Sequence, residues 1–430
     1  MRYEALFWIK QPHKWLALLL FWSLAGYAIW QGARHMEYRK QQIEKMQAHA
    51  AEKQAEVLQW YAEGKLGPAD RPWVDVTKPF WAMWHAQNWL FDQPNGLMLF
   101  SIGQTEHFAY AKRVTVWSTP FDNDMVADPR NLERLREGAF DFVFVWLWLM
   151  PLLLVVLTFN VGSQEREQTM LPLLQLQLLV PFRRWIWQRF VATGMMLQLA
   201  LLVFVGLVGL SAGNLASLLV LAGLFSAYLW FWVLLFALLS QWGKQALLQA
   251  LLFVSSWLIA TVLVPGVVDQ QLQKEYPATL QLEIIRNERM DQEAFFNQPI
   301  DSVVLICKQW ESALPFTRAF ADASWKAAPL SGSFYRVAAY LKTKAVHDSL
   351  MQNIDKREAL LARWSWASPL LLFQRLAENE CQTGFGALHQ MRKELLHATD
   401  LLHRTLLLHE ANGLEVNAEQ YQKYMELVGN

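Results

Sequence analysis

The stretch Ser163-Gln164-Glu165-Arg166-Glu167-Gln168-Thr169-Met170-Leu171 decides how the chain is read. Before it, Phe142 to Gln164 carries no charge; after it comes an amphipathic segment, Leu171 to Arg189, and then a second uncharged run from Phe190 to Gly243. A charge at the centre of a bilayer costs roughly 2.5–3.5 kcal/mol on insertion scales, so three charges in a row between such runs belong at a membrane boundary. Working outward, Trp15 to Ala33 and Gln245 to Val268 are also free of charge and long enough to cross a bilayer. The run Phe190–Gly243 is too long for one crossing. Gly206, Gly209, Ser211, Gly213 and Asn214 mark a turn that divides it into spans near 190–210 and 215–240. Gly209 and Gly213 also form a G-x-x-x-G pair, which reads either as a packing face or as part of that turn.

The expected fold is therefore mainly α: a polytopic α-helical membrane protein with about five transmembrane helices and two large, mostly helical extracytoplasmic inserts. The 430 residues have zero formal net charge, and 54% are hydrophobic against 18% charged. Because the charge is gathered into blocks, the chain reads as membrane spans with water-exposed inserts, and the zero balance gives no support for nucleic-acid binding. Several of the 22 tryptophans, among them Trp15, Trp30, Trp185, Trp187, Trp242 and Trp257, lie near the ends of apolar runs, where indole suits the membrane interface. Trp22, Tyr27 and Trp30 make the first run a poor signal-peptide core, so it is read as an uncleaved anchor.

Four regions result: a cytoplasmic N-terminus with the first span (1–33), a first insert (34–138), a membrane domain (139–268) holding spans two to five and the segment 163–189, and a C-terminal domain (269–430). Met36 to Glu63, without Pro or Gly, is expected to continue the first span as a helix. Asn131 to Asp141 reads as a helix leading into the second span. Ser368 to Phe373 is apolar but too short to cross. Arg2, Lys10 and Lys14, then Arg166, Arg183, Arg184 and Arg189, then Lys244 all fall on one side of a five-span arrangement. The positive-inside rule makes that side cytoplasmic and both inserts extracytoplasmic.

Motifs for chemistry are absent. There is no G-x-x-x-x-G-K-[ST] loop, so a pump built on this chain needs its motor in another chain. No H-E-x-x-H, G-x-S-x-G or Cys/His metal spacing occurs, so the chain is not read as an enzyme and no cofactor or metal is expected in it. Asp122, Asp124 and Asp128 lack the Gly and distal Glu of a calcium loop. His389, His397, His403 and His409 scatter around a helix and read as a solvated face. Cys307 and Cys381 are either a bridge formed in an oxidising compartment or two free thiols; spacing does not decide. Gln198 and Gln249 are the polar groups within the spans, and no intramembrane carboxylates suggest an ion relay.

Glu165-Arg166-Glu167-Gln168-Thr169, then Leu171-x-Leu173-Leu174 and Val180-Pro181-Phe182-Arg183-Arg184, resembles the E-x-x-x-G-T-L…L…P-x-S-R segment after the second span of type-2 ABC exporter permeases. More closely, the chain resembles the branch with two large extracytoplasmic inserts, through Leu97 to Thr115, Asn131 to Asp141, Ser368-Pro369-Leu370 with Phe373-Gln374, and Gly413-Leu414 to Tyr421. Two departures stand out. Gln168 occupies the place of the motif glycine, and the sixth span that such permeases carry after the second insert does not lie within Asp269 to Asn430.

The resemblance implies an ABC transporter permease, of export type, in the bacterial inner membrane. It would pair with a second permease, identical or homologous, and with a cytoplasmic ABC ATPase dimer that binds ATP and Mg. Glu165, Arg166, Glu167, Thr169 and Leu171 are then the expected ATPase-coupling contact, with Arg183 and Arg184 as a second cationic patch. A different reading keeps the ATPase but moves no solute. In it the outer inserts act on a periplasmic partner, as mechanotransmission or scaffolding.

Overall fold

The computed structural model describes residues 11–106, 108–121, 140–168, 181–209, 214–243, 245–276, 297–310 and 328–428. Residues 131–139 of the helix expected ahead of the second span, and Asp122, Asp124 and Asp128, lie outside these. Five described helices are long and apolar enough to cross a membrane: α1 (Pro12–Glu63), α3 (Phe142–Glu167), α4 (Phe182–Gly209), α5 (Leu215–Leu239) and α6 (Ala246–Glu275). A short α2 (Pro79–His85) and an antiparallel pair, β1 (Trp89–Phe91) with β2 (Ala111–Arg113), come from the first insert. The second supplies α7 (Ile300–Cys307), α8 (Ala328–Ser365), α9 (Pro369–Cys381), α10 (Phe385–Ala411) and α11 (Ala418–Met425).

The expected continuation of the first span is realised in full. α1 runs for 52 residues, about 78 Å at 1.5 Å per residue. It stops at Gly64, whose φ of +67° closes a left-handed cap in which the Lys65 N–H donates to the Trp60 carbonyl. Gly32, partway along, has no room for a side chain: a Cβ there would stand 2.3 Å from the Leu99 carbonyl oxygen. A turn of 3-10 helix, Gly96–Leu99, packs against the helix at this point.

α3 is the centre of the bundle. Two thirds (67%) of its most apolar window is buried, against 17–39% for the other four. Phe142 and Trp146 stack on one another (5.8 Å), and around them close Phe21 of α1, Phe204 of α4 and Phe225 of α5. Such aromatic pairs add about 0.5–1.5 kcal/mol each beyond burial. A π turn, Val145–Leu149, lies inside α3; the Tyr228 hydroxyl donates to its Leu147 carbonyl (2.5 Å) and the Trp146 indole N–H donates to the Phe225 carbonyl (3.1 Å). At its start, Asp141 accepts from the N–H groups of Phe144, Ile102 and Gly103 at 2.7–3.0 Å. That cap ties the bundle to the first insert.

α4 begins at Phe182, eight residues before the expected start of the third span, so Phe182 to Arg189 is the first two turns of a long helix and not a separate surface element. Gly209 ends α4 where a Cβ would meet Leu218 of α5 at 2.3 Å, and Gly213 lies outside the described residues.

The two inserts, separate in sequence, share cores. Val57 of α1, Ala82 and Met83 of α2, and Val114 bury against Leu395 and Leu402 of α10 and Tyr421 of α11. The Val416 N–H donates to the Thr77 carbonyl (2.8 Å), and the Tyr421 hydroxyl to that of His85 (2.9 Å). A second cluster joins α7, α8 and α10. This outer body changes the reading of the histidines. His389 and His403 are buried, and α10 is a core helix with one solvated face. His389 bonds Asp355 (2.7 Å), His403 stacks on Tyr340 at 4.2 Å and bonds the Thr399 carbonyl, and His409 bonds the Tyr424 hydroxyl (2.6 Å).

Burial depresses the His403 imidazole to about 4. A depressed pKa stabilises the fold above the unfolded value near 6.5, and the contribution is lost as pH falls from there towards 4, on the order of 3 kcal/mol in all. Glu410, pushed up to about 7 by burial, titrates with the opposite sign, so the difference between two proteins isolates the histidine. His403→Gln is expected to lose less stability than the parent between pH 6.5 and 4, measured by hydrogen exchange in α10.

Candidate functional site

Of the quoted stretch, Ser163 to Gln168 is described and forms the last turn of α3, and its construction begins at Gly162. This residue sits at φ +84°, which side-chain-bearing residues rarely adopt, and a Cβ there would approach Ile186 Cδ1 at 2.8 Å. The helix is interrupted by a turn there and resumes as the short helix Ser163–Glu167. The glycine that the turn needs therefore precedes the charges. Gln168, at φ −80° and ψ 9°, occupies a conformation open to any residue, so the missing motif glycine leaves no strain.

Each charge of the triad is spent on a different neighbour. Glu165 accepts the Gly162 N–H (2.9 Å) with one oxygen and pairs with Arg189 of α4 (2.6 Å) through the other. The two side chains are only 13% and 4% exposed. The Arg189 guanidinium also lies over the Trp185 ring at 4.9 Å. Arg166 donates to the carbonyls of Ser240 (3.2 Å) and Gly243, at the C-terminal end of α5, where unpaired carbonyls and the helix dipole favour a cation. Glu167 accepts the Ala246 N–H (2.8 Å) at the start of α6, where the dipole favours an anion.

Two further bonds close the ring. Lys14 of α1, although buried, donates to the Leu157 carbonyl (2.7 Å) and to Asn160 Oδ1 (3.3 Å). Gln249 of α6 donates to the carbonyls of Val161 (3.0 Å) and Thr158 (3.4 Å). One short stretch at the end of α3, residues 157–167, thus bonds to all four of the other long helices. Chemically it offers no nucleophile or metal set; what it offers is mechanical connection.

The three charges expected at the coupling contact all have partners within the chain; Glu165 and Arg166 are half-buried and Glu167 is exposed. Arg183 and Arg184, on the first turn of α4 beside this ring, are exposed. Thr169 and Leu171 lie outside the described residues. Cys307 and Cys381 are both buried free thiols, in separate cores: Cys307 in the α7–α8–α10 cluster, its Sγ 3.6 Å from the Phe334 carbonyl, and Cys381 at the end of α9 against the bundle. Burial pushes the Cys307 thiol up to about 12. Of the two readings of this pair, the structure takes the free thiols.

In the outer body, β1 and the α9–α10 junction line an open cleft of about 470 Å³, bordered by Phe91, Glu378, Gln382, Gln390 and Glu394. Sequence reasoning missed it, because its walls come from both inserts. Among the described residues no group of His, Cys, Asp or Glu is arranged to hold a metal ion. Comparison with protein-family models, curated proteins and solved structures finds no match to this chain.

Breaking a buried ion pair from one side strands a charge and costs on the order of 3–5 kcal/mol. Glu165→Ala and Arg189→Ala should each lower the unfolding midpoint in detergent. The double substitution should cost clearly less than the sum of the two, which a double-mutant cycle by denaturant unfolding measures.

Proposed function

We propose that the chain is the transmembrane permease subunit of an ATP-driven ABC transporter of export type. The five-helix bundle crosses the bacterial inner membrane with the ring around residues 157–167 at the cytoplasmic face, and the outer body is extracytoplasmic. The observation that carries this reading is the ring itself. A partner that loads one short turn displaces α1, α4, α5 and α6 together, because each is bonded to it. The cations Lys14, Arg166, Arg183, Arg184 and Arg189 gather at this same end, in keeping with the positive-inside rule.

In this reading a cytoplasmic ABC ATPase dimer, holding ATP and Mg, docks against the exposed Arg183 and Arg184 and the neighbouring segment through Thr169 and Leu171. A second permease, identical or homologous, completes the transporter. Glu165, Arg166 and Glu167 pass the push inward and do not themselves meet the ATPase.

A second reading is favoured by a separate observation. α1 is one uninterrupted helix from the ring to the outer body, where both inserts share cores around it. Motion at the ring reaches that body without any solute crossing. The cleft there would then receive a periplasmic partner.

The test is purification of the full chain with its ATPase. Arg183→Glu with Arg184→Glu is expected to weaken ATPase association at least about tenfold, roughly 1.4 kcal/mol, while leaving insertion and the unfolding midpoint unchanged. Unchanged association would exclude this docking surface. Uptake into sealed inside-out vesicles then separates transport from force transmission alone.

A further inference from the structure

Helices α8 and α9 form a hairpin whose tip lies beside the bundle. Ser365 ends α8, and Trp366-Ala367-Ser368 turn the chain into α9, with the Ala367 N–H donating to the Trp364 carbonyl (2.9 Å) and the Ser368 N–H to the Ser365 carbonyl (3.2 Å). Between Glu358 and Arg375 the only charged residue is Arg363. Polar ends and an apolar tip are what a loop dipping into an apolar layer requires.

The level of the tip follows from its partners. Ser368 Oγ donates to the Ala260 carbonyl of α6 (2.8 Å), about 13 Å inside Asp269 at 1.5 Å per residue. Phe373 packs edge-on against Tyr228 (5.3 Å), whose hydroxyl reaches Leu147, about 9 Å inside Asp141. Leu370, Ala377 and Cys381 belong to the bundle's own core. The other end of α9 stays at the bundle's edge: Thr383 Oγ1 donates to Ser101 Oγ (3.0 Å) and its carbonyl accepts the Gln104 N–H (2.9 Å). α9 therefore descends along the bundle and stops partway.

The tip's outward side is not covered by the chain. Trp366 is 78% and Trp364 42% exposed, at the level of the equally uncovered Ile259, Val262 and Leu263 on α6. We infer that the α8–α9 hairpin is a re-entrant element whose tip, Trp364 to Ser368, lies in the lipid of the outer leaflet. The inference rests on the bundle crossing a bilayer. The lipid that covers Leu263 then covers Trp366, since α6 and the tip are bonded at Ala260. A hydrocarbon layer of about 30 Å holds the tip within its outer half. Backbone groups at that depth need partners, and the Ser368 cap and the two turn bonds supply them for the Ala367, Ser368 and Leu371 N–H groups and the Trp364 and Ser365 carbonyls. Arg363, exposed one turn away, has a stem long enough to carry its guanidinium towards the headgroups. Burying an indole in lipid contributes favourably, so the outer body is held to the membrane at a second place besides α1.

Site-directed nitroxide labelling tests this in the full chain reconstituted into phosphatidylcholine vesicles. Trp366→Cys is compared with Leu263→Cys on α6 and with Trp73→Cys, an exposed position of the first insert. The native cysteines are buried, and the unsubstituted chain gives the labelling background. Collision with oxygen relative to a water-soluble nickel complex is expected to be several-fold higher at 366 than at 73, and to match 263. A label at 366 that meets the nickel complex as freely as one at 73, with 263 in lipid, would overturn the hairpin while leaving the membrane reading intact. So would a label at 366 shielded from both reagents, which would mean a second protein copy covers it. A label at 263 open to the nickel complex would remove the membrane reading, and the hairpin with it.

Discussion

The Glu165–Arg189 pair and the bonds beside it meet a constraint that bears on the whole bundle: helix ends packed side by side, away from water, still need partners for their last N–H and C=O groups. Three of those ends meet at the close of α3. One carboxylate accepts the Ala246 N–H at the start of α6, a guanidinium donates to carbonyls at the end of α5, and the other carboxylate takes the arginine rising from α4. The order Glu-Arg-Glu is the order of the ends it serves. Neutral residues at these places would leave part-buried helix-end groups without these partners, so the charges that look like an interruption in the sequence join the ends of the apolar helices.

The interior is arranged differently. Between the ring at one end and the Asp141 cap at the other, the polar contacts among the described residues are single bonds: Gln198 to Ser226 (2.7 Å), Tyr228 and Trp146 to backbone carbonyls, Ser368 to the Ala260 carbonyl, and Gln249 back to the ring. The remaining contacts are aromatic and aliphatic, without direction. Paired polar groups are thus denser at the two ends of the bundle than between them. α1 is unbroken along its length, and Gly32 lets it touch the Leu97–Leu99 turn backbone to backbone.

How much of this was legible depends on where each signal resides. The five long helices were legible because absence of charge is a property of each run by itself. The start of α4 was misplaced because Arg183, Arg184 and Arg189 read as water-facing, whereas Arg189 is buried against a carboxylate 24 residues earlier in the chain. The partners of Arg166 and Glu167 are backbone groups 74 to 79 residues away, and a backbone carbonyl leaves no mark on residue type. For the same reason the two inserts read as separate domains. The pattern of α10 announces a helix with an apolar side, but not that the side is filled by Val57, Ala82 and Val114 from the other insert. Ser368 to Phe373 was rightly too short to cross, yet length alone excludes only crossing; its burial against Tyr228 needed the fold.

The place of the glycine shows how a motif can be departed from without loss. A turn from a long helix into a short one needs one residue with positive φ, and only glycine adopts it at no cost. In this chain that residue is Gly162, pressed against Ile186, three residues ahead of the first charge. With the turn already made, Gln168 is free to be an ordinary helix-end residue, and its N–H bonds the Gln164 carbonyl at 3.0 Å. Moving the turn upstream also brings Glu165 back onto the Gly162 N–H, so that the carboxylate both closes the turn and holds α4. The turn, the ion pair and the spacing between α3 and α4 are then a single device, and a force applied at this end of the bundle meets all three at once.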